Sequence, residues 1–120
     1  MTLYRPVGQK ELDLIAESGY AEFPSRLDWQ PIFYPVLHKE YAAQIASEWN
    51  TKDAASGYVG YVLEFEVDDA YLSQFPVHTV GAGLHREYWI PSEALRAFNG
   101  HISGKIRVIQ KYVGKEREPT

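Results

Sequence analysis

The chain of 120 residues contains no cysteine, which excludes a disulfide framework, a zinc–thiolate centre and thiol catalysis. No run approaches the ~20 apolar residues that a membrane-crossing helix needs. Basic side chains are few: 12 Lys and Arg stand against 16 Asp and Glu, for a net charge of −4. That balance opposes a sequence-independent grip on nucleic acid, which depends on neutralising phosphates. Also missing are a phosphate-binding glycine loop, a dinucleotide-binding glycine fingerprint and paired histidines at helical metal-ligand spacing. Gly57 and Gly60 flank Tyr58-Val59 without a third glycine and lead into a strand, and Gly81-Ala82-Gly83 has the same shortcoming. His38, His78, His85 and His101 are scattered, so no metal site is expected. The opening Met1-Thr2-Leu3-Tyr4-Arg5-Pro6 lacks the charged-then-apolar pattern of a signal peptide. A soluble, cytoplasmic chain with no membrane partner is the expectation.

What is present is enough for one domain. With 45% apolar and 14% aromatic residues, the chain has globular composition, and its length lets it bury about two-thirds of its unfolded surface. A single domain over 1–113 is expected, with a frayed tail over 114–120. Leu3 to Val7 reads as a strand with Pro6 near an end or edge. Leu12, Ile15 and Ala16 share one face of a helix over Gln9–Ser18, with Lys10, Glu11 and Glu17 lying away from it and Gly19 as its stop. Tyr20 to Pro31 reads as a loop anchored by Phe23 and Trp29. Ile32 to Leu37 has strand composition, made irregular by Pro35.

His38 to Asn50 is the clearest helix: Tyr41, Ile45 and Trp49 recur every four residues beside Ala42 and Ala46. Val59, Tyr61, Leu63, Phe65 and Val67 alternate as one face of a strand, with Glu64 and Glu66 opposite. Asp68 can cap a short turn burying Tyr71 and Leu72. Strands follow at Val77–Val80, Arg86–Ile90 and Ile106–Val113, with a Ser92-capped helix before the last one. Helices gather early and strands late. This order argues for α+β with a mixed, mainly antiparallel split sheet and two main helices.

Three short segments carry a resemblance. Leu3-Tyr4-Arg5-Pro6-Val7 with Glu11-Leu12 and Gly19, then Phe33 through Ala42 and Ala46, then His85-Arg86-Glu87-Tyr88-Trp89-Ile90-Pro91 resemble successive elements of small ADP-ribosyltransferase-like domains. They are also similar to a group of small bacterial proteins labelled as ADP-ribosylation-related. The resemblance implies NAD as a substrate, no metal, and transfer of ADP-ribose to an acceptor, a protein among the candidates. Cleaving the nicotinamide–ribose bond develops positive charge on the ribose, as in glycoside hydrolysis. It implies Glu87 as the catalytic carboxylate that stabilises this charge, with Arg5, Tyr34 and His85 as nucleotide-binding residues. Arg5 would take a phosphate or ribose, and Tyr34 would stack on nicotinamide. The subtype that modifies arginine carries Glu or Gln two residues before the catalytic glutamate, where this chain has His85. Phe33-Tyr34-Pro35 replaces a Ser-Thr-Ser element, and Arg5 stands where another subtype has histidine.

Each residue also has a plain structural reading. Arg5 can pair with a surface acid, Glu87 can face solvent, Tyr34 can pack in a groove, and His85 can be a loop histidine. Trp29, Trp49 and Trp89 read as core or core-edge residues. Glu64 and Glu66 read as a solvated face or as guards of an edge strand. Nine tyrosines suit an alternative function, a non-catalytic module that binds a protein or ligand through exposed aromatics. A small hydrolase using Glu64, Glu66 or Glu87 with a histidine ranks third.

Overall fold

Alternating apolar residues, broken by proline and glycine, produce eleven regular elements in the computed structural model, which describes residues 1–27, 30–81, 83 and 85–115. They are β1 (Thr2–Val7), α1 (Gln9–Glu17), β2 (Ile32–Phe33), α2 (Lys39–Glu48), β3 (Val59–Val67), α3 (Asp69–Leu72), β4 (Val77–Thr79), β5 (Arg86–Tyr88), β6 (Ile90–Pro91), α4 (Leu95–Gly100) and β7 (Ile102–Val113). Short 3₁₀ turns precede β3 and α4. The fold is α+β, and each strand pair among the described residues is antiparallel. No helix among the described residues is long and apolar enough to cross a membrane.

β3 is the central strand of the order β1-β3-β7. Val59, Tyr61, Leu63, Phe65 and Val67 do share one face, which packs with Leu3, Val7, Leu12, Ile15, Phe23, Phe33 and Phe98 into the larger core. Glu64 and Glu66 therefore guard no edge. Glu64 pairs with Arg107 (2.8 Å), and Glu66 accepts from the Thr2 hydroxyl. Asp68 caps α3 by accepting from the Ala70 amide, and Gly19 ends α1 at φ 77°.

The opposite face holds a smaller core of Val36, Ala42, Ala46 and Val62. Here the expected large-residue stripe of α2 is corrected. The alanines face the sheet, Tyr41 and Ile45 are half-buried, and Trp49 is 60% exposed. The reason is proximity: a Cβ built on Gly60 would lie 2.2 Å from the Ala46 carbonyl oxygen, so the helix backbone sits almost on the strand. Only small side chains fit between them. In α1, Leu12 and Ile15 are buried as expected, whereas Ala16 is exposed.

The Ile32–Leu37 segment is irregular at Pro35 as expected: β2 covers Ile32–Phe33 and Val36 returns as an isolated bridge, since Pro35 has no amide to donate. Other expectations need correction. The Arg86–Ile90 strand divides at Trp89, so β5 and β6 pair with different partners. In β7, Val62 faces Gln110 but Leu63 faces Val108, leaving Ile109 as a bulge that breaks the alternation. α4 also starts later than the Ser92 cap implied, and the Ser92 hydroxyl donates to Glu93 instead of capping. Gly114 is buried and donates to the Tyr58 carbonyl (2.8 Å). Trp29 and residues 116–120 lie outside the described residues.

Candidate functional site

After Pro35 the chain rejoins the sheet through a single residue. Val36 exchanges backbone hydrogen bonds with Tyr4 (2.8 and 2.9 Å) and bridges on its other side to Glu87. The flanking amides of Leu37 and Tyr88 donate to Arg86 and Pro35 (3.1 and 2.9 Å). Val36 thus ties the β4–β5 ribbon to β1. Next to that tie lies a cleft of about 240 Å³, lined by Arg5, Pro6, Tyr34, Val36, Tyr41, Ile45 and Glu87.

Glu87 is 7% exposed. Tyr41 of α2 donates its hydroxyl to Oε1 (3.0 Å), and Trp89 donates its indole N–H to Oε2 (2.8 Å). Both carboxylate oxygens thus accept a hydrogen bond from a neutral donor. Among the described residues no Lys, Arg or His nitrogen lies within 4.0 Å of it as an ion-pair partner. The carboxylate is buried and held by two neutral donors. In return, burial together with the Glu87 hydrogen bond and charge pushes the Tyr41 hydroxyl up to about 12.

The ring system continues outward. Trp89, 39% exposed, stacks on His78 (centroids 3.7 Å apart) and meets the edge of Tyr34 at 6.3 Å. Trp89 thus lies at the edge of the core and borders the cleft through its hydrogen bond to Glu87. Tyr34 is 40% exposed at the mouth. His85 stacks on Tyr41 (4.5 Å) and its Nε2 lies 3.1 Å from Gln44 Oε1. His85 therefore backs the ring that holds Glu87.

Arg5 stands apart from this group. Tyr4, Val36 and Glu87 are cross-strand neighbours, so their side chains share the α2 face. Arg5 alternates to the other face, 8% exposed. Its Nε and Nη2 grip Glu11 of α1 (2.7 and 3.0 Å), and its guanidinium lies 4.5 Å from the centre of the Phe33 ring. Nη1 reaches the Tyr34 carbonyl at 3.5 Å. The partner acid is thus a helix residue expected to point away from the apolar face, and the pair is largely buried. Arg5 contributes to the cleft wall and bears on Tyr34, but its fork is committed to Glu11.

Sequence reading brought Arg5, Tyr34, His85 and Glu87 to this region and missed Glu11, Tyr41 and Trp89. The Glu-x-Trp spacing was a usable signal, since alternate strand residues share a face. Nothing local signals Tyr41, which arrives from another element. Comparison of this chain with family models, with curated proteins and with solved structures gives no match in any of the three.

Proposed function

We propose that the protein is an ADP-ribosyltransferase-like domain that binds NAD and cleaves its nicotinamide–ribose bond at the Glu87 cleft. One observation supports the reading: a buried carboxylate with no ion-pair partner within 4.0 Å among the described residues, lining a ring-sized cleft with tyrosines on its walls. Burying an unpaired charge is costly, and the cost is recovered when the ligand supplies the positive charge. The pyridinium of NAD is a flat cation that suits Tyr34 and Tyr41.

As the glycosidic bond breaks, its electron pair goes to the ring nitrogen and neutral nicotinamide leaves. The positive charge passes to the ribose carbon and ring oxygen, where Glu87 stabilises it. The acceptor then bonds to that carbon and gives up a proton. At about 240 Å³ the cleft is smaller than the roughly 300–1,000 Å³ of whole-ligand pockets. It takes the ring and its ribose while the rest of the dinucleotide lies along the rim beside Tyr34 and Trp89. Arg5 serves as a positioning residue that holds Tyr34, and His85 supports Tyr41.

The test is nicotinamide release from NAD by the purified protein and by Glu87→Gln, followed by chromatography, with NAD binding measured by calorimetry. Release that disappears in the variant supports the reading, and equal release sinks the role of Glu87. Binding without release favours the non-catalytic module, to which the exposed rings of Tyr34 and Trp89 also lend themselves.

A further inference from the structure

In the β1-β3-β7 sheet, β1 is met on its outer side by Val36, whereas β7 is an edge. Backbone groups along an antiparallel strand alternate between its two sides. The Ile106 amide donates outward to the Tyr20 carbonyl (2.8 Å), so Arg107 turns inward to its partner Glu64 and Val108 turns outward. Beyond the bulge at Ile109, the Gly114 amide donates inward to Tyr58, so Val113 and Lys111 turn outward. Among the described residues, the backbone groups of Val108, Lys111 and Val113 have no partner on that side. Tyr20 thus begins a fourth strand that the chain does not continue.

The side chains of this edge are of two kinds. Val108 and Val113 are exposed. Lys105, Arg107 and Lys111 lie on β7, and Lys115 follows it. From Ala94 to Lys115 the sequence holds no Asp or Glu, in a chain of net charge −4. Arg107 is paired with Glu64 (2.8 Å), whereas no lysine nitrogen among the described residues lies within 4.0 Å of a described carboxylate. Two hollows adjoin the edge. One of about 400 Å³ lies at Tyr20, Lys105, Ile106 and Val108, and one of about 590 Å³ at Thr51, Lys52, Lys111, Val113 and Lys115.

We propose that the β7 edge from Val108 to Val113 binds an extended acidic segment of a partner protein, which adds to the sheet as a fourth strand. The free backbone groups supply the main-chain hydrogen bonds of strand addition, and the hollows receive side chains. Acidic side chains of the segment meet Lys105 and Lys111, and apolar ones cover Val108 and Val113. A second copy of the chain fits less well, because antiparallel pairing of β7 with itself sets basic side chains against basic ones. A nucleic acid would use the lysines but leave the outward backbone groups and the valines unused. This edge stands on residues distinct from those of the NAD reading and does not depend on it.

The experiment follows peptide binding to the whole chain by fluorescence anisotropy at low ionic strength, with amide exchange read by NMR. The probe is a labelled peptide of about eight residues, a strand's length, alternating Glu and Val. Its controls are the same peptide with Lys for Glu, and the same peptide N-methylated throughout, which keeps the charge but cannot pair as a strand. Saturable binding of the Glu-Val peptide alone is expected, with the Val108, Lys111 and Val113 amides newly protected from exchange. Lys105→Glu combined with Lys111→Glu, both at exposed positions, should weaken binding about tenfold, as two cross-strand attractions become repulsions. Nicotinamide release by that variant should equal that of wild type, so this edge and the Glu87 cleft fail separately. No saturable binding at millimolar peptide, equal binding of the N-methylated peptide, or unchanged binding in the charge-reversed variant overturns the proposal. So does binding that leaves those three amides unprotected. A uridine oligonucleotide that displaces the peptide and binds more tightly would overturn it in favour of nucleic acid. A dimer that protects the same amides without peptide would overturn it in favour of a second copy.

Discussion

The Tyr41 hydroxyl, on helix α2, donates across 3.0 Å to Oε1 of Glu87, on strand β5, and ties helix to strand at the floor of the cleft. That hydroxyl is pushed up to about 12, by burial first and then by the Glu87 hydrogen bond and charge. A difference titration of wild type against Tyr41→Phe, followed by phenolate absorbance, should show one tyrosine ionising at about that pH. In a Glu87→Gln background the same difference should move down, since two of its three causes disappear while burial remains. The sign for stability follows from linkage. A tyrosine ionising near 10.0 when unfolded and about 12 when folded stabilises fully below the lower value, and this contribution is lost as pH rises through the upper one. Wild type should therefore lose more of its urea resistance than Tyr41→Phe over that interval. Equal losses would mean that the hydroxyl is not held as described.

Glu87→Gln makes a second, opposite-sign prediction. Glutamine is the same size, its carbonyl can accept from Trp89, and its amide can donate to the Tyr41 oxygen. The variant removes a buried carboxylate that has no ion-pair partner within 4.0 Å among the described residues. Its urea midpoint should equal or exceed that of wild type even as nicotinamide release is lost, as expected where a group is kept for function at a cost in stability. A drop of more than about 1 kcal/mol, the worth of an ordinary hydrogen bond, would show that Glu87 is a structural residue.

How much of this was legible depends on distance along the chain. The five alternating residues of β3 are a local pattern, and they fold as they read. The extent of α2 is local too, but the side it buries is not. A period of four fits the Tyr41-Ile45-Trp49 stripe and the Ala42-Ala46 stripe equally well. Gly60, fourteen positions beyond Ala46 on strand β3, decides between them by bringing the backbones together. The division of the two irregular strands follows from Pro35 in one case and from a change of pairing partner at Trp89 in the other. Only the first has a local chemical cause. Glu87 was singled out by the resemblance of its strand segment, while its two donors were not, because one looked like core or core edge and the other came from a helix.

Arg5 and Glu11 allow a direct test of the buried pair. Glu11→Gln leaves the guanidinium against Phe33 with a weaker acceptor, and should cost about 1.5–3 kcal/mol, the range for hydrogen bonds to charged groups. Part of that cost belongs to the first turn of α1, where an acidic side chain suits the helix dipole. A double-mutant cycle with Arg5→Met separates the two, since only the Arg5 coupling vanishes in the Met background. Coupling below about 0.5 kcal/mol, the additivity limit for independent sites, would show that Glu11 does not hold Arg5 in solution. The Tyr34 ring should also loosen in Arg5→Met, because Nη1 no longer reaches its carbonyl.

Gly60 and Gly100 provide a matched pair for the packing of α2. A Cβ on Gly60 would meet the Ala46 carbonyl oxygen at 2.2 Å, its carbon at 2.7 Å and its Cα at 2.8 Å, all backbone that cannot rotate away. Gly60→Ala should destabilise at the upper end of the about 1–3 kcal/mol seen for overpacking. The helix must move outward to relieve the contact and will carry Tyr41 away from Glu87, so the high tyrosine titration should fall toward its ordinary value. Gly100, the last residue of α4, has nothing within 4 Å of a built Cβ and no positive φ. Gly100→Ala should be neutral or stabilise by up to about 1 kcal/mol, from helix propensity and a less flexible unfolded chain. Similar melting shifts in the two variants would show that α2 does not press on β3 as closely as the alanine stripe requires. A Gly60→Ala variant that melts early yet keeps its high tyrosine titration would mean that Tyr41 and Glu87 hold together without the helix seat.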